Sequence, residues 1–263
     1  MPDEVLRMRD LAWPAFGELL GRRPLILPLG AIEQHGPHLP LDTDTATAIA
    51  FAEAVAGRTG AIVLPSFQYG YKSQPTSGGG RLFPGTTCLG AEAFVACVRD
   101  LVADLSRQGA RGIVLLNANY ENTMFAVEGA DLATERFAAG SAKVIAVNWW
   151  DQVTRDVLDR AFGGTFPGWE AEHAGLVETS LMLHLDPDRV VTDRIESPAQ
   201  IPVLPTYWVI PERPGMVPSS GILRTAAGSS AAIGQMLFDH VVEVLEAIIR
   251  REFADLMPST DRA

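Results

Sequence analysis

The sequence contains little cysteine and no long apolar run. Its two cysteines, Cys88 and Cys97, are too few in 263 residues for a disulfide framework, so we expect a reducing, cytoplasmic compartment. No stretch reaches the roughly 18 uninterrupted apolar residues of a membrane-spanning helix. The N-terminus also lacks the basic start and apolar run of a signal peptide. We therefore expect no membrane partner.

Positive charge is scarce as well. The chain has 21 Lys and Arg residues against 32 Asp and Glu residues, which gives a net charge of −11, and its only lysines are Lys72 and Lys143. An acidic chain without a basic cluster repels phosphate, so we expect no nucleic-acid partner. Because 47% of the residues are hydrophobic, an intrinsically disordered chain is excluded. The remaining partner class is a small polar molecule.

Short apolar runs alternate with longer segments of helical periodicity. The apolar runs predict strands at 24–30, 61–65, 111–116 and 143–147. The periodic segments predict helices at 43–60, 91–109, 121–137, 151–161 and 229–253. Strands separated by helices favour right-handed crossovers, so we expect an α/β fold with a mainly parallel central sheet and helices on both faces. No internal repeat or linker is present, so we expect one domain over 1–263.

Two segments interrupt this alternation. The 68–87 segment is rich in Gly, Ser, Pro and aromatic residues and is too long for an ordinary connection, which is typical of a functional loop. The 197–224 segment contains six prolines, and it predicts an extended surface excursion. Its apolar character makes it a candidate contact surface between subunits.

The densest group of polar side chains follows the first predicted strand. It contains Glu33, His35, His38, Asp42 and Asp44. In an open α/β sheet, ligands bind beyond the C-terminal ends of the strands. Imidazole nitrogens and carboxylate oxygens are the usual ligands of Zn²⁺ and Mn²⁺, so this group predicts a divalent metal site. The alternative is a turn whose polar residues only cap the next helix.

A second polar group, from Asn117 to Asn122, follows the predicted strand at 111–116. It faces the same edge of the sheet, so Glu121 is a further candidate metal ligand and Tyr120 a candidate substrate contact. Asn119 is also typical of a helix cap, and both interpretations are compatible.

A third group surrounds His173, ahead of a helix. Glu172 precedes this imidazole, which titrates near physiological pH, and Trp169 is a candidate stacking platform. The alternative is a structural histidine.

Together these motifs resemble the creatininase family. The resemblance rests on Glu33-Gln-His-Gly-Pro-His with Asp44, Tyr69-Gly-Tyr-Lys-Ser, Tyr120-Glu-Asn122 and Trp169-Glu-Ala-Glu-His-Ala-Gly175. It extends from about residue 25 to the C-terminal helix. It implies a three-layer sandwich, a homohexamer and a site with two divalent metal ions.

The resemblance also implies roles for individual residues. The first metal would be held by Glu33 and Asp44, and the second by His35, Asp44 and Glu121. The residues that match substrate contacts of the family are Ser77, Tyr120, Trp150, Trp169, Glu170 and His173.

Asn119 departs from the family pattern, which has histidine as the third ligand of the first metal. A neutral amide oxygen is a weaker ligand than imidazole. An all-oxygen site suits Mn²⁺ or Mg²⁺ better than Zn²⁺, so we expect weak occupancy of the first site.

The implied activity is the reversible, metal-dependent hydrolysis of creatinine to creatine. His173, assisted by Glu172, would protonate the departing ring nitrogen. The alternatives are a family member that hydrolyses another linear or cyclic amide, and a homologue that only binds a ligand or metal. A Rossmann dehydrogenase is excluded, because no G-x-G-x-x-G motif follows the first strand.

Overall fold

One parallel sheet forms the centre of the computed structural model, which describes residues 5–135, 142–164, 166–195 and 206–257. The strands of the described residues are β1 (Leu6–Arg7), β2 (Leu25–Leu29), β3 (Ile62–Val63), β4 (Gly112–Asn117) and β5 (Lys143–Asn148). Their order across the sheet is β1-β3-β2-β4-β5. The central pair, β2 and β4, runs in register from Leu25 opposite Ile113 to Leu29 opposite Asn117.

Helices connect and cover these strands. They are α1 (Trp13–Leu19), α2 (Thr43–Thr59), α3 (Ala91–Gln108), α4 (Thr123–Glu135), α5 (Arg155–Phe162), α6 (Leu176–Leu185) and α7 (Ala231–Glu252). No helix of the described ranges is long and apolar enough to cross a membrane.

Each central strand sends alternate side chains to opposite faces of the sheet. From β2, Leu25 and Leu27 pack in a core with α1, α3 and α4. Ile26 packs in a second core with α2, α5, α6 and α7. Because both faces are buried, the strand sequences are apolar throughout rather than alternating with polar residues. The predicted three layers, with a parallel sheet between helices, are confirmed.

Two predicted helices begin later than expected. Short 3-10 turns at Tyr120–Asn122 and Trp150–Gln152 precede α4 and α5, so α4 begins at Thr123 and α5 at Arg155. The end of the predicted helix at 121–137 lies outside the described residues. The short strand β1 and helix α1 were not predicted.

The prediction of a surface excursion at 197–224 is wrong for its last residues. Residues 197–205 lie outside the described part, and 206–220 contain no helix or strand. Ile222 and Leu223, however, are fully buried. The N–H of Leu223 donates a hydrogen bond of 3.4 Å to the carbonyl oxygen of His173. These apolar side chains bring the end of the segment into the interior, beside the third polar group.

Candidate active site

The C-terminal ends of β2 and β4 bring the first two polar groups together. Asn119 Nδ2 donates hydrogen bonds of 3.1 Å to Oε1 of Glu33 and of 3.1 Å to Oδ2 of Asp44. All three side chains are buried. Oε2 of Glu33 and Oδ1 of Asn119 have no hydrogen-bond partner. A buried oxygen left unpaired costs about 1–3 kcal/mol, so the unpaired carboxylate oxygen of Glu33 favours a cation, whereas Asn119 presents its amide nitrogen to Glu33 and Asp44.

His35 lies beside the same carboxylates. Its Nδ1 is 3.1 Å from the carbonyl oxygen of Glu33, which can only accept, so Nδ1 carries the proton. Its Nε2 lies 3.1 Å from Oδ1 of Asp44 and 3.8 Å from Oε2 of Glu178. Burial lowers the pKa of His35, but the charges of Asp44 and Glu178 and the hydrogen bonds to Asp44 and Glu33 together outweigh it and raise the pKa to about 9. The ring is therefore directed at a position where positive charge is stabilised.

Glu178, in the first turn of α6, is a possible ligand that the sequence prediction missed. His35, Asp44 and Glu178 offer ligand atoms that all lie within 4.8 Å of one another. Burial raises the pKa of Glu178 to about 7, although His35 opposes the rise. Its Oε2 also accepts a hydrogen bond of 2.6 Å from the N–H of Ala174, whose φ of 53° is unusual for a residue other than glycine. Glu178 thus holds the turn that carries His173.

Glu121 lies on the wall of the same cavity, at the end of β4. Its Oε1 accepts a hydrogen bond of 2.7 Å from the hydroxyl of Ser77 and one of 3.1 Å from the N–H of Gln74. Burial raises the pKa of Glu121, and these hydrogen bonds limit the rise. Burial, together with Glu121 and Asp44, also raises the pKa of Glu33 well above its ordinary value. Several buried carboxylates in one cavity favour a cation of more than one charge.

His173 reaches the site from the segment before α6. Its Nδ1 is 4.0 Å from Oε1 of Glu33, and its ring centre is 4.4 Å from that of His35. Glu33, His35 and His173 form a second group of possible ligands within 4.8 Å of one another. Burial and the neighbouring His35 lower the pKa of His173 well below its ordinary value. The ring is therefore neutral near pH 7 and offers a nitrogen lone pair.

Glu172 contacts the main chain of α6. Its Oε1 accepts a hydrogen bond of 2.5 Å from the N–H of Val177, and its Oε2 has no partner. Burial raises the pKa of Glu172 to about 8. Among the hydrogen bonds of the described residues, none joins Glu172 to His173. The predicted assistance of Glu172 to His173 stays a prediction.

Aromatic rings form one wall of the cavity. Trp149 packs edge-on against Trp150 at 6.0 Å and against Trp169 at 5.7 Å. The ring of Tyr120 lies 6.0 Å from that of Trp150, and its hydroxyl donates a hydrogen bond of 3.3 Å to Oε1 of Glu170. The structure thus brings four predicted substrate contacts together. Trp149 was not predicted, although its position beside Trp150 was the available signal.

The cavity between these groups is small, with a volume of about 40 Å³. A wider cleft of about 720 Å³ adjoins it. Both are lined by Ser77, Tyr120, Glu121 and Trp150. These four residues therefore mark the passage from the wider cleft to the buried carboxylates.

Two residues of the first polar group lie away from the cavity. His38 Nε2 is 2.9 Å from the hydroxyl of Thr179, and burial lowers the pKa of His38 to about 4. Asp42 forms an ion pair with Arg189. Both residues support the loop rather than the site.

Comparison with known proteins identifies the family. The family model that matches is Creatininase, described as creatinine amidohydrolase, and it matches residues 9–249. The chain belongs to the creatininase family. A creatinine amidohydrolase of Pseudomonas putida is 43% identical over 252 residues, which cover 93% of this chain and 96% of the relative. A mycofactocin precursor peptide peptidase of Mycobacterium ulcerans (strain Agy99) is 33% identical over 236 residues, 83% of this chain and 81% of the relative.

Solved creatininase structures share the fold. A creatininase variant complexed with creatine matches with a TM-score of 0.91 and 40% identity, over 95% of this chain and 99% of that chain. Two further creatininase structures, one a Zn–Zn type and one a Mn form, have the same TM-score. The predicted family and α/β fold are confirmed.

The residues present fit the divalent ions of this family. Glu33 and Asp44 bring carboxylate oxygens together at the predicted first site, with the amide of Asn119 beside them, and oxygen ligands suit Mn²⁺ or Mg²⁺. His35 and Asp44, with a third carboxylate, provide the mixed nitrogen and oxygen ligands that suit Zn²⁺.

Proposed function

We propose that the protein hydrolyses the cyclic amide of creatinine to give creatine, reversibly. The observation that carries this proposal is the imidazole and carboxylate group of buried His35 and Asp44 with half-buried Glu178, which adjoins an aromatic-walled cavity. The 43% identity to a creatinine amidohydrolase over nearly the whole chain supports the same substrate. The match to a creatininase complexed with creatine supports the same product.

The proposed cofactors are two divalent ions per subunit. Glu33, Asp44 and Asn119 would hold Mn²⁺ or Mg²⁺ at the first position, and His35, Asp44 and Glu121 would hold Zn²⁺ at the second. Glu178 is an additional candidate at the second position, because it lies 3.8 Å from His35 Nε2. Such ions lower the pKa of a water molecule and polarise a carbonyl group.

His173 is the proposed acid and base. Hydrolysis adds the oxygen of water to the carbonyl carbon, breaks the ring C–N bond and places a proton on the departing nitrogen. The neutral ring of His173 accepts the proton of the attacking water at Nδ1 and delivers it to that nitrogen. A low pKa makes the protonated ring a strong donor, which favours the second transfer.

The aromatic wall provides the proposed substrate contacts. Trp150 and Trp169 enclose the flat ring and exclude water from it. Tyr120, Glu170 and Ser77 lie at the entrance, where they can hydrogen-bond to the polar edge of the substrate. The surplus of carboxylates suits a substrate that carries positive charge.

The proposal also includes the oligomeric state of the protein and its cellular compartment. A homohexamer follows from the family resemblance, and a reducing cytoplasm agrees with the free thiols of Cys88 and Cys97. Size-exclusion chromatography with light scattering checks the assembly, and a monomer at micromolar concentration would contradict it.

The second candidate function is hydrolysis of a larger amide. The peptidase relative at 33% identity and the wide cleft next to the cavity favour this alternative. Replacement of the family histidine by Asn119 is compatible with a changed substrate.

One assay separates these functions. Metal-depleted protein is supplemented with Zn²⁺ or Mn²⁺, and creatine formation from creatinine is measured beside cleavage of short peptides. We expect metal-dependent conversion of creatinine. Peptide cleavage without creatinine conversion would favour the second candidate, and inactivity on both with metal bound would indicate a binding protein.

A further inference from the structure

The side chain of Gln34 connects the 68–87 loop to the segment that contains Gly221. It is buried, and its Oε1 accepts a hydrogen bond of 2.9 Å from the N–H of Gly36. Its Nε2 lies 3.1 Å from the carbonyl oxygen of Gly78 and 3.0 Å from that of Gly221. Carbonyl oxygens only accept, so both amide hydrogens are used and the orientation of the amide is fixed.

The fit around this amide leaves no spare room. Gly221 has a φ of 77°, in the left-handed region that favours glycine, and a Cβ at this position would overlap the amide of Gln34. A Cβ at Gly79 would overlap the same amide. The main chain of both segments therefore packs directly on Gln34.

Gln34 also contacts the ring of His173. The Nε2 atom of His173 lies 2.7 Å from the main-chain oxygen of Gln34 and 2.8 Å from its Nε2. Because that oxygen only accepts, the Nε2 of His173 carries the ring proton. The Nδ1 atom is then unprotonated and lies 4.0 Å from Oε1 of Glu33, on the side of the carboxylates.

We propose that Gln34 is a positioning residue for His173. Its main-chain oxygen keeps the ring proton on Nε2 and the lone pair on Nδ1, and its side-chain amide holds Gly78 and Gly221 in place beside the ring. Its importance for catalysis rests on the proposed function, whereas the location of the proton does not.

The first test locates the proton directly. Protein labelled with ¹⁵N-histidine and loaded with diamagnetic Zn²⁺ is measured by long-range ¹H–¹⁵N correlation, and the signals of His173 are assigned with His173→Asn. We expect a protonated Nε2 and an unprotonated Nδ1. A proton on Nδ1, or an equal mixture of both forms, overturns the proposal, whether or not creatinine is a substrate.

The second test removes the amide. Gln34→Met should lower kcat about 10–100-fold, the usual effect of losing a supporting hydrogen-bond partner, with KM changed less than threefold. The ring signals of His173 should broaden, while the main-chain oxygen of residue 34 keeps the ring proton on Nε2. Gln108→Met is the matched control, because Gln108 is exposed at the end of α3. We expect wild-type kcat and ring signals in that control.

The proposal is overturned if Gln34→Met has an unchanged kcat. It is also overturned if kcat falls only in proportion to the folded fraction while the His173 signals stay unchanged. If Gln34→Met does not fold, Gln34→Glu replaces it, since this variant keeps the shape and the acceptor for Gly36 but lacks both donors. The wild-type spectrum remains decisive in every case.

Discussion

The hydroxyl of Ser77 lies 2.7 Å from Oε1 of Glu121 and joins the 68–87 loop to the end of β4. The N–H of Gln74, in the same loop, donates to the same oxygen. A carboxylate held by two donors is kept in one orientation and favoured in its charged form. The loop thus prepares Glu121 for contact with a cation.

Glu121→Gln should lower turnover at least about 100-fold while the protein stays folded, because a neutral amide is a poor metal ligand. The loss of a residue that only supports a ligand costs about 10–100-fold, and the loss of the ligand itself should cost more. Creatinine turnover and metal content are measured on the same sample. Glu128→Gln, an exposed change on α4, is the control and should behave as wild type. Undiminished turnover in Glu121→Gln would refute the assignment.

His173→Ala and His173→Asn should lower kcat about 10²–10⁴-fold, the usual contribution of acid and base catalysis, with a much smaller change in KM. The pH profile of kcat should lose one limb. His240→Asn is the control, since His240 contacts the main chain of Gln152 instead of the cavity. A loss of only two- or threefold in the His173 variants would assign His173 a structural role.

Asn119 should make the first metal site weak. Metal analysis of purified protein is expected to find closer to one tightly bound ion than two, and added Mn²⁺ should raise activity. Asn119→His supplies a nitrogen ligand and should tighten binding about 10–100-fold. Two tightly bound ions in the wild type, with no change in the variant, would contradict this expectation. Glu178 would then be examined first, because His38 is engaged with Thr179.

Glu172 should make the metal-free protein less stable at high pH. Burial raises its pKa to about 8 in the folded state, against about 4.3 in an unfolded chain. The protonated form is thus favoured by folding, so its stabilisation is complete below the unfolded pKa and is lost as pH rises through about 8. Glu172→Gln stays neutral and should be the more stable protein at pH 9, by about 1 kcal/mol or more.

Urea unfolding in EDTA at pH 6 and pH 9 measures this difference. The other buried carboxylates are shared by both proteins, so their effects cancel in the comparison. Equal dependence of the unfolding free energy on pH in wild type and Glu172→Gln would show that Glu172 keeps an ordinary pKa.

The local sequence pattern was sufficient to predict the long strands and helices of the fold. The apolar runs of β2 and β4 and the periodicity of α3 are complete within their own segments, and the structure has them where the sequence predicts. Strand β1 has only two residues, too few for any periodic signal. Helix α6 was predicted only as a helix after His173, without bounds, because it is buried on most sides and lacks the polar face by which the limits of a helix are recognised.

In the site, too, the residues that lie in recognisable local motifs were predictable and the others were not. Glu33 and Glu121 were predictable as neighbours because parallel strands end at one edge of the sheet. Glu178 comes from a helix far along the chain, and no local motif links it to His35. The role of Gln34 depends on two carbonyl groups of the main chain, which no side-chain pattern encodes.

The hydrogen bond between Gln34 and Gly221 spans 187 positions of the sequence. On the ribosome, where chains grow at about 5–20 residues per second, the first 220 residues can form most of the sheet before this contact is possible. The surroundings of His173 therefore become complete only near the end of synthesis. A chain truncated before Gly221 keeps every proposed metal ligand and still lacks a finished site.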